Sequence, residues 1–250
     1  MRIRPVGVNA LLLDCTTGDD VPEVDLVEAW RAELWRRREQ GDLLAVEIVP
    51  AASTVLLDGL PDPTATAEQL TRWAPAVVAA TIRSPTADVD PTAADPDAVA
   101  AAADEDAAAA PADLDALATT TGRDAREVVV PVSFDGPDLP VVAEHWNVDV
   151  PAVLRRLTGT RFRVAFCGFA PGFPYLTGLP AELALPRLAT PRPRVPAGSV
   201  ALAGPYAGIY PGASPGGWHL VGHTDLVLFD VHADPPARLG PGTSVRMVAT

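Results

Sequence analysis

No lysine occurs in the 250 residues; every one of the 19 basic side chains is arginine. That absence removes a Schiff-base lysine, a P-loop lysine and a biotinylated lysine from this chain. If ATP or biotin is involved, another subunit or another binding mode supplies the lysine. Cysteine is nearly as scarce. Cys15 and Cys167 each lie in an apolar run, and two are too few for a disulfide scaffold or a four-cysteine zinc site. Both read as buried free thiols, which implies a reducing compartment. The Met1-Arg2-Ile3-Arg4-Pro5 start lacks the apolar core of a signal peptide, and no apolar run approaches a membrane span. The expected location is cytoplasmic, with no membrane partner.

Acidic residues are not scarce, but they are uneven. The net charge of −13 is concentrated between residues 84 and 122, which carry nine acids and no base. A chain this acidic is a poor nucleic-acid binder, because phosphate neutralisation needs a basic surface. The same segment has no aromatic residue and few large apolar ones, so it reads as a linker or solvent-exposed insertion. It divides the chain into an expected N-terminal domain at 1–83 and a C-terminal domain at 123–250.

The fold class expected is α+β. In the first domain, strands at 3–8, 10–14, 45–49 and 54–57 alternate with a helix over 21–40 and a second helix starting near Thr66, giving a small α/β sandwich. In the second domain, strands are expected at 127–134, 163–169, 199–202, 224–231 and 245–248, with helices at 139–145 and 150–158. Residues 166–250 hold 13 of the 27 prolines and 12 of the 19 glycines. Short strands punctuated in this way suggest a closed or nearly closed barrel.

Several constellations bear on chemistry. Gly212-Ala213-Ser214-Pro215-Gly216 has the outline of a nucleophile elbow, but the residue after the serine is proline and has no N–H for an oxyanion hole. The apolar neighbours of Cys167 make it a core thiol rather than a nucleophile. His219 and His223 could share a face of a strand as a weak metal pair; no metal site is otherwise expected. His145 reads either as a helix-end packing residue or as a site residue. Between residues 183 and 224 there is no acidic residue, but Arg187, Arg192 and Arg194 accompany a run of glycines. Glycines admit close approach to backbone and arginines fork onto carboxylate or phosphate, so this stretch is a candidate anion pocket. The aromatics of Gly168-Phe169-Ala170-Pro171-Gly172-Phe173-Pro174-Tyr175-Leu176 either wall that pocket or plug the barrel end.

That last run resembles the GFxPGFxYL signature of the 5-oxoprolinase B-subunit family, which includes allophanate-hydrolase subunit 1 domains and the Kip-type kinase inhibitor. Thr190-Pro191-Arg192-Pro193-Arg194-Val195-Pro196-Ala197-Gly198-Ser199-Val200 is similar to its TPRxxVPAGSV block. Gly208-Ile209-Tyr210-Pro211 and Ser214-Pro215-Gly216-Gly217-Trp218 are similar to its GIYPxxSPGGW block. The sequence departs from the family where Tyr206-Ala207 replace Gln-Thr, and where His219 and His223 stand in a Gln-Leu-Ile-Gly-Arg stretch.

The resemblance implies a cyclophilin-like β-barrel behind the smaller domain. It also implies one member of an assembly. In that assembly the chain pairs with a C-type 5-oxoprolinase subunit. Together with an A-type subunit they cleave 5-oxo-L-proline to L-glutamate, using ATP and Mg²⁺ held at the level of the complex. No biotin is attached to this chain. The alternatives are a module inhibiting a sensor histidine kinase, a carboxyltransferase-type domain acting on urea or a related amide, and, by fold analogy alone, a prolyl isomerase. Candidate catalytic residues are His145, Arg192 and Arg194. Candidate substrate-binding residues are Phe169, Pro171, Gly172, Phe173 and Tyr175 from the first block and Gly198 and Ser199 from the second. Tyr206, Tyr210, Ser214, Gly216, Gly217 and Trp218 come from the region of the third.

Overall fold

The computed structural model describes residues 1–16, 21–83 and 127–250, so the acidic segment expected as a linker at 84–122 lies outside the described residues. The N-terminal part is a four-stranded antiparallel sheet in the order β1-β2-β4-β3, from β1 (Arg2–Val6), β2 (Ala10–Asp14), β3 (Glu47–Pro50) and β4 (Thr54–Asp58). Helices α1 (Glu23–Glu39) and α2 (Pro63–Arg83) cover it. Helix α1 turns Leu26, Trp30 and Leu34 inward at four-residue spacing, with Val27 beside them. Glu23 and Asp25 at its start and Arg36 to Arg38 at its end suit the macrodipole. Trp35, on the opposite flank, is partly exposed under the Arg38 guanidinium, 4.5 Å from its ring centroid. Helix α2 begins three residues before Thr66. Pro63 occupies its first turn, and the Asp62 carboxylate accepts the Ala65 N–H at 2.9 Å.

The C-terminal part is a curled seven-stranded sheet, β12-β9-β10-β7-β6-β13-β5. Its strands are β5 (Glu127–Val132), β6 (Arg161–Cys167), β7 (Pro174–Thr177), β9 (Ser199–Ala203), β10 (Tyr206–Ile209), β12 (His219–His223) and β13 (Ser244–Ala249). A separate ribbon pairs β8 (Arg192–Val195) with β11 (Ser214–Gly216). Helices α3 (Leu139–His145) and α4 (Val150–Gly159) pack on one face, where Val142, Trp146, Val153 and Leu157 meet Val200, Leu202, Ile209 and Met247. The sheet's two edges meet at one bridge, with mutual Ser133 and His223 N–H···O bonds of 2.9 Å. This is the barrel-like α+β architecture expected.

The strand expected at 224–231 does not form. Its backbone groups go to loop partners instead: Thr224 N–H to Gly198 O, and Leu228 O to Arg238 N–H, both at 2.9 Å. The alternation of Leu226 and Leu228 reflects packing against the core, not a ladder. Strands β7, β8, β10, β11 and β12, not anticipated, are three to five residues long, and β7, β8 and β11 contain proline. The two halves touch through Glu28, whose Oε1 accepts from Arg31 at 2.7 Å and from Arg163 at 2.6 Å.

Burial pushes the Cys15 and Cys167 thiols up to about 11, and the Cys167 thiol also faces Leu239 O at 3.3 Å. Ellman's reagent at pH 8 should therefore label the native thiols about two orders of magnitude more slowly than the denatured chain. A thiol whose folded pKa is raised stabilises the fold below the unfolded value and loses that contribution as pH climbs. Unfolding free energy should therefore decline from about pH 8.5 toward 11, with a shallower slope in Cys15→Ala. Equal labelling of native and denatured chain would exclude this placement.

Candidate functional site

The second face of the curled sheet carries the motif residues. Along β9, Val200 and Leu202 enter the helix-covered core, while Ala201 and Ala203 face the other way. Along β10, Ala207 and Ile209 go inward and Tyr206 outward, with Tyr210 following on the outer face. The outer floor is thus built of small residues, and aromatic rings lie directly on it. At Gly208 a Cβ would stand 2.9 Å from the Trp218 ring and 3.0 Å from the Phe173 ring, so only glycine permits this contact.

Rings from separate blocks converge there. Phe173 sits at the centre, edge-on to Tyr210 at 5.0 Å, to Trp218 at 5.4 Å and to Phe169 at 5.4 Å. Tyr175 stacks on Phe166 at 4.3 Å with an 18° interplanar angle, and Tyr206 stands edge-on to both. These offset and edge contacts are the favoured aromatic geometries, each worth about 0.5–1.5 kcal/mol beyond burial. Phe173, Tyr210 and Trp218 are buried, whereas Phe169 is 64% exposed. Burial raises the pKa of Tyr210, as does neighbouring Tyr175, while the Arg187 and Arg192 guanidiniums oppose the shift.

The ribbon lies across this wall. Val195 packs into it, and Ser214, opposite Val195, has its hydroxyl oxygen buried without a partner among the described residues. Gly198 and Ser199 carry backbone pairs: Gly198 N–H donates to Tyr210 O at 2.7 Å, and Tyr210 N–H to Ser199 O at 2.9 Å. Gly216 lies under the Tyr210 hydroxyl, and Gly217 O accepts from Leu188 N–H at 2.8 Å.

The candidate catalytic residues are not gathered in one place. Arg192 is held by the buried Asp138, with Nη2 to Oδ1 at 2.7 Å, and its Nη1 reaches Trp218 O at 3.4 Å. The other Asp138 oxygen accepts the Leu220 N–H at 2.7 Å. Arg194, two residues on, is exposed and has no ion pair or hydrogen bond among the described residues. His145 lies at the far end of α3 from Asp138, about 10 Å along a helix of seven residues. There its Nε2 is 3.1 Å from Ala184 O, beside a Trp146 Nε1–H bond to Leu183 O at 2.9 Å. With His219 Nε2 at 2.9 Å from Pro186 O, these side chains pin the 183–186 loop.

The His219–His223 metal pair does not exist. A bulge between Leu220 and Gly222 turns the two to opposite faces, so that His219 is buried and His223 is exposed beside Asp135. Among the described residues no group of three His, Cys, Asp or Glu side chains could hold a metal. Sequence reasoning also missed two participants. Asp138 carries no motif; only its place in the turn that closes the sheet makes it matter. Phe166 was legible in principle, because it lies opposite Tyr175 in the antiparallel register.

A cavity of about 680 Å³ lies between β1 and α2, against Met1, Ile3, Val78 and Ile82. A second, of about 350 Å³, sits where the barrel edges meet, at Ser133, His223 and Thr250.

A barrel-like domain with this ring-covered face is a carboxyltransferase-type domain. The family model described as "Carboxyltransferase domain, subdomain C and D" matches residues 1–239, and the chain belongs to that family. It is 49% identical to the 5-oxoprolinase B subunit of Escherichia coli O157:H7 over 128 residues, 50% of this chain and 59% of that protein. The corresponding protein of Bacillus subtilis is 43% identical over 126 residues, 49% of this chain and 52% of its own length. The match thus spans just over half the length of these relatives. Among solved structures, TTHA0988 superposes with a TM-score of 0.61 at 30% identity, over 97% of this chain and 40% of that one. The Kluyveromyces lactis urea amidolyase shares the fold, with a TM-score of 0.59 at 18% identity, over 99% of this chain and 15% of its own.

If Asp138 anchors Arg192, the two act as one unit. Asp138→Asn is expected to lower the unfolding free energy by about 1.5–3 kcal/mol. Arg192→Met should then add little in that background, because its partner is already lost. Urea denaturation of the two single variants and the double variant measures this, and additive losses would show that the pair is not coupled.

Proposed function

We propose that this chain is one subunit of an ATP-dependent 5-oxoprolinase, acting with C-type and A-type partner subunits to hydrolyse the lactam of 5-oxo-L-proline to L-glutamate. The observation that carries the reading is the convergence of three motif blocks onto one face, in a chain 41–49% identical over its matched half to proteins named as the B subunits of 5-oxoprolinases.

The division of labour follows from the charges. The substrate carries a carboxylate. Arg194 is exposed and uncommitted, so it meets that carboxylate at the motif face. Arg192 is neutralised by Asp138 and sets the position of the ribbon that bears Arg194. His145, turned to Ala184, holds a loop.

Mg²⁺–ATP does not fit the residues present. The chain has no lysine, and the described residues offer no set of three ligating side chains. No step on this chain runs through that group, and another subunit holds it.

The exposed apolar side chains of Phe169, Val227 and Val231 also suit the alternative of a module that docks on a sensor kinase. The neighbouring reading frames separate the two readings: C-type and A-type 5-oxoprolinase partners support the first, a sensor kinase the second.

Co-expression provides the test. The complex should hydrolyse ATP only when 5-oxoproline is present, and the isolated chain should not. In the complex, Arg194→Ala should raise KM for 5-oxoproline by about 10-fold or more, the cost of one charge-assisted hydrogen bond. Robust turnover by the isolated chain, or a complex indifferent to 5-oxoproline, would refute the proposal.

A further inference from the structure

The two edges of the curled sheet meet backbone to backbone, with little room for side chains. Ser133 and His223 exchange N–H···O bonds of 2.9 Å, Gly136 N–H donates to Val221 O at 3.3 Å and Asp138 N–H to Leu220 O at 3.0 Å. Glycine is required on both sides: a Cβ at Gly136 would collide with Leu220 O, and one at Gly222 with Ser133 O. Beyond His223 the chain is tied down again, Thr224 N–H donating to Gly198 O at 2.9 Å. The seam is a narrow strip of main chain, and whatever holds its open end governs how it frays.

At that end a side-chain link crosses the strip. His223 Nδ1 lies 3.0 Å from Asp135 Oδ1, so His223 meets the opposite edge twice through its backbone and once through its ring. The hydroxyl of Ser133 is engaged on its own side of the seam, with Thr250 Oγ1 at 2.7 Å. The His223 and Asp135 side chains are 48% and 65% exposed, and the cavity of about 350 Å³ at the seam admits water beside the ring. The ring therefore exchanges protons freely with solvent. A neutral imidazole can still donate one N–H to the carboxylate, but only the protonated ring adds a charge.

The charged groups that face the ring are Asp135 and Asp225. Its other neighbours, Pro131, Ser133, Thr224 and Thr250, have no titratable side chain. The hydrogen bond to Asp135 and the charges of both aspartates raise the pKa of His223 above the ordinary histidine value, while desolvation opposes them.

We propose that the barrel seam is a proton-operated clasp, in which the charged His223 ring holds Asp135 across the two sheet edges and loss of the proton loosens the 133–138 segment that places Asp138, and with it Arg192 and the ribbon. The clasp acts on the placement of the motif face, whatever the reaction there. Because the folded pKa is raised, the stabilising contribution is complete below the unfolded value of about 6.5 and is lost as pH climbs through the folded value. Both side chains are exposed, so the effect is a local opening of the seam and not global unfolding.

Amide hydrogen exchange on the full chain tests it, read as protection factors so that the intrinsic pH dependence of exchange cancels. From about pH 6 to about pH 8, protection of the Ser133, His223 and Leu220 amides should fall about two- to fivefold, the range of an exposed ion pair. The Leu60 amide, bonded to Asn9 O at 2.8 Å in the N-terminal half, should hold steady. His223→Arg keeps a cation throughout this window and should flatten the profile at the protected level. Asp135→Asn should flatten it at the loosened level. A Leu220 amide indifferent to pH, or a wild-type profile that persists in either variant, overturns the inference.

Discussion

The Asp138 carboxylate holds two groups at once, the Leu220 amide of the last strand in the sheet and the Arg192 guanidinium of the ribbon that crosses the motif face. A curled sheet must satisfy its two edges where they approach each other, or leave a row of open amides. Here the backbone does so at Ser133 and His223, and the chain then bends away toward α3. Gly136 and Asp138 continue the closure through Val221 O and Leu220 O, and the carboxylate supplies the acceptor that a further strand residue would have supplied. A buried carboxylate is tolerated only when its charge is met, and Arg192 meets it. The start of α3 and the placement of the ribbon therefore share a single charge-assisted junction, which extends the backbone closure at Ser133 and His223.

From that junction the motif face inherits its rigidity. The ribbon fixed by Arg192 presses Val195 onto a wall of rings, and the rings lie on Ala201, Ala203 and Gly208 because small floor residues let them approach the sheet. Edge-on contacts lock each ring by its neighbours, so that none of the central ones can turn independently. The result is a pre-shaped surface. Such a surface loses little entropy on meeting a ligand or partner, which is where preorganised sites gain their affinity.

How far the sequence disclosed this differs by feature. The α+β class and barrel-like sheet were legible from β-branched runs and glycine–proline punctuation, and so were both C-terminal helices. The aromatic convergence was half legible: the rings of one block were visible as a wall or a plug, but Tyr206, Tyr210 and Trp218 reach it only through strand pairings with β7 and β9 that sequence periodicity does not encode. Strands of three to five residues broken by proline give no period to read, which is why β8 and β11 are not anticipated, while the apolar alternation over 224–231 reads as a strand that does not form. Arg192 and Arg194 looked equivalent in sequence. A single carboxylate 54 residues away in the chain makes one a structural cation and leaves the other free. His145 was ambiguous for the same reason, since its partner, a loop carbonyl, leaves no mark in the sequence.

The charge distribution carries the last step. Overall the chain is strongly acidic, yet its motif face comes from a stretch with no acid, and Arg187 and Arg194 there remain unpaired among the described residues. Unpaired arginines on an acidic protein create a local potential opposite in sign to the rest of the surface. Two copies of the chain brought together by this face would set these arginines against each other, which disfavours self-association there. An anionic ligand is instead drawn to it. Arg194 is carried by the ribbon that Arg192 and Asp138 fix, so a cation already neutralised sets the place of one that is free, and an anionic ligand meets the free one without having to break an existing ion pair.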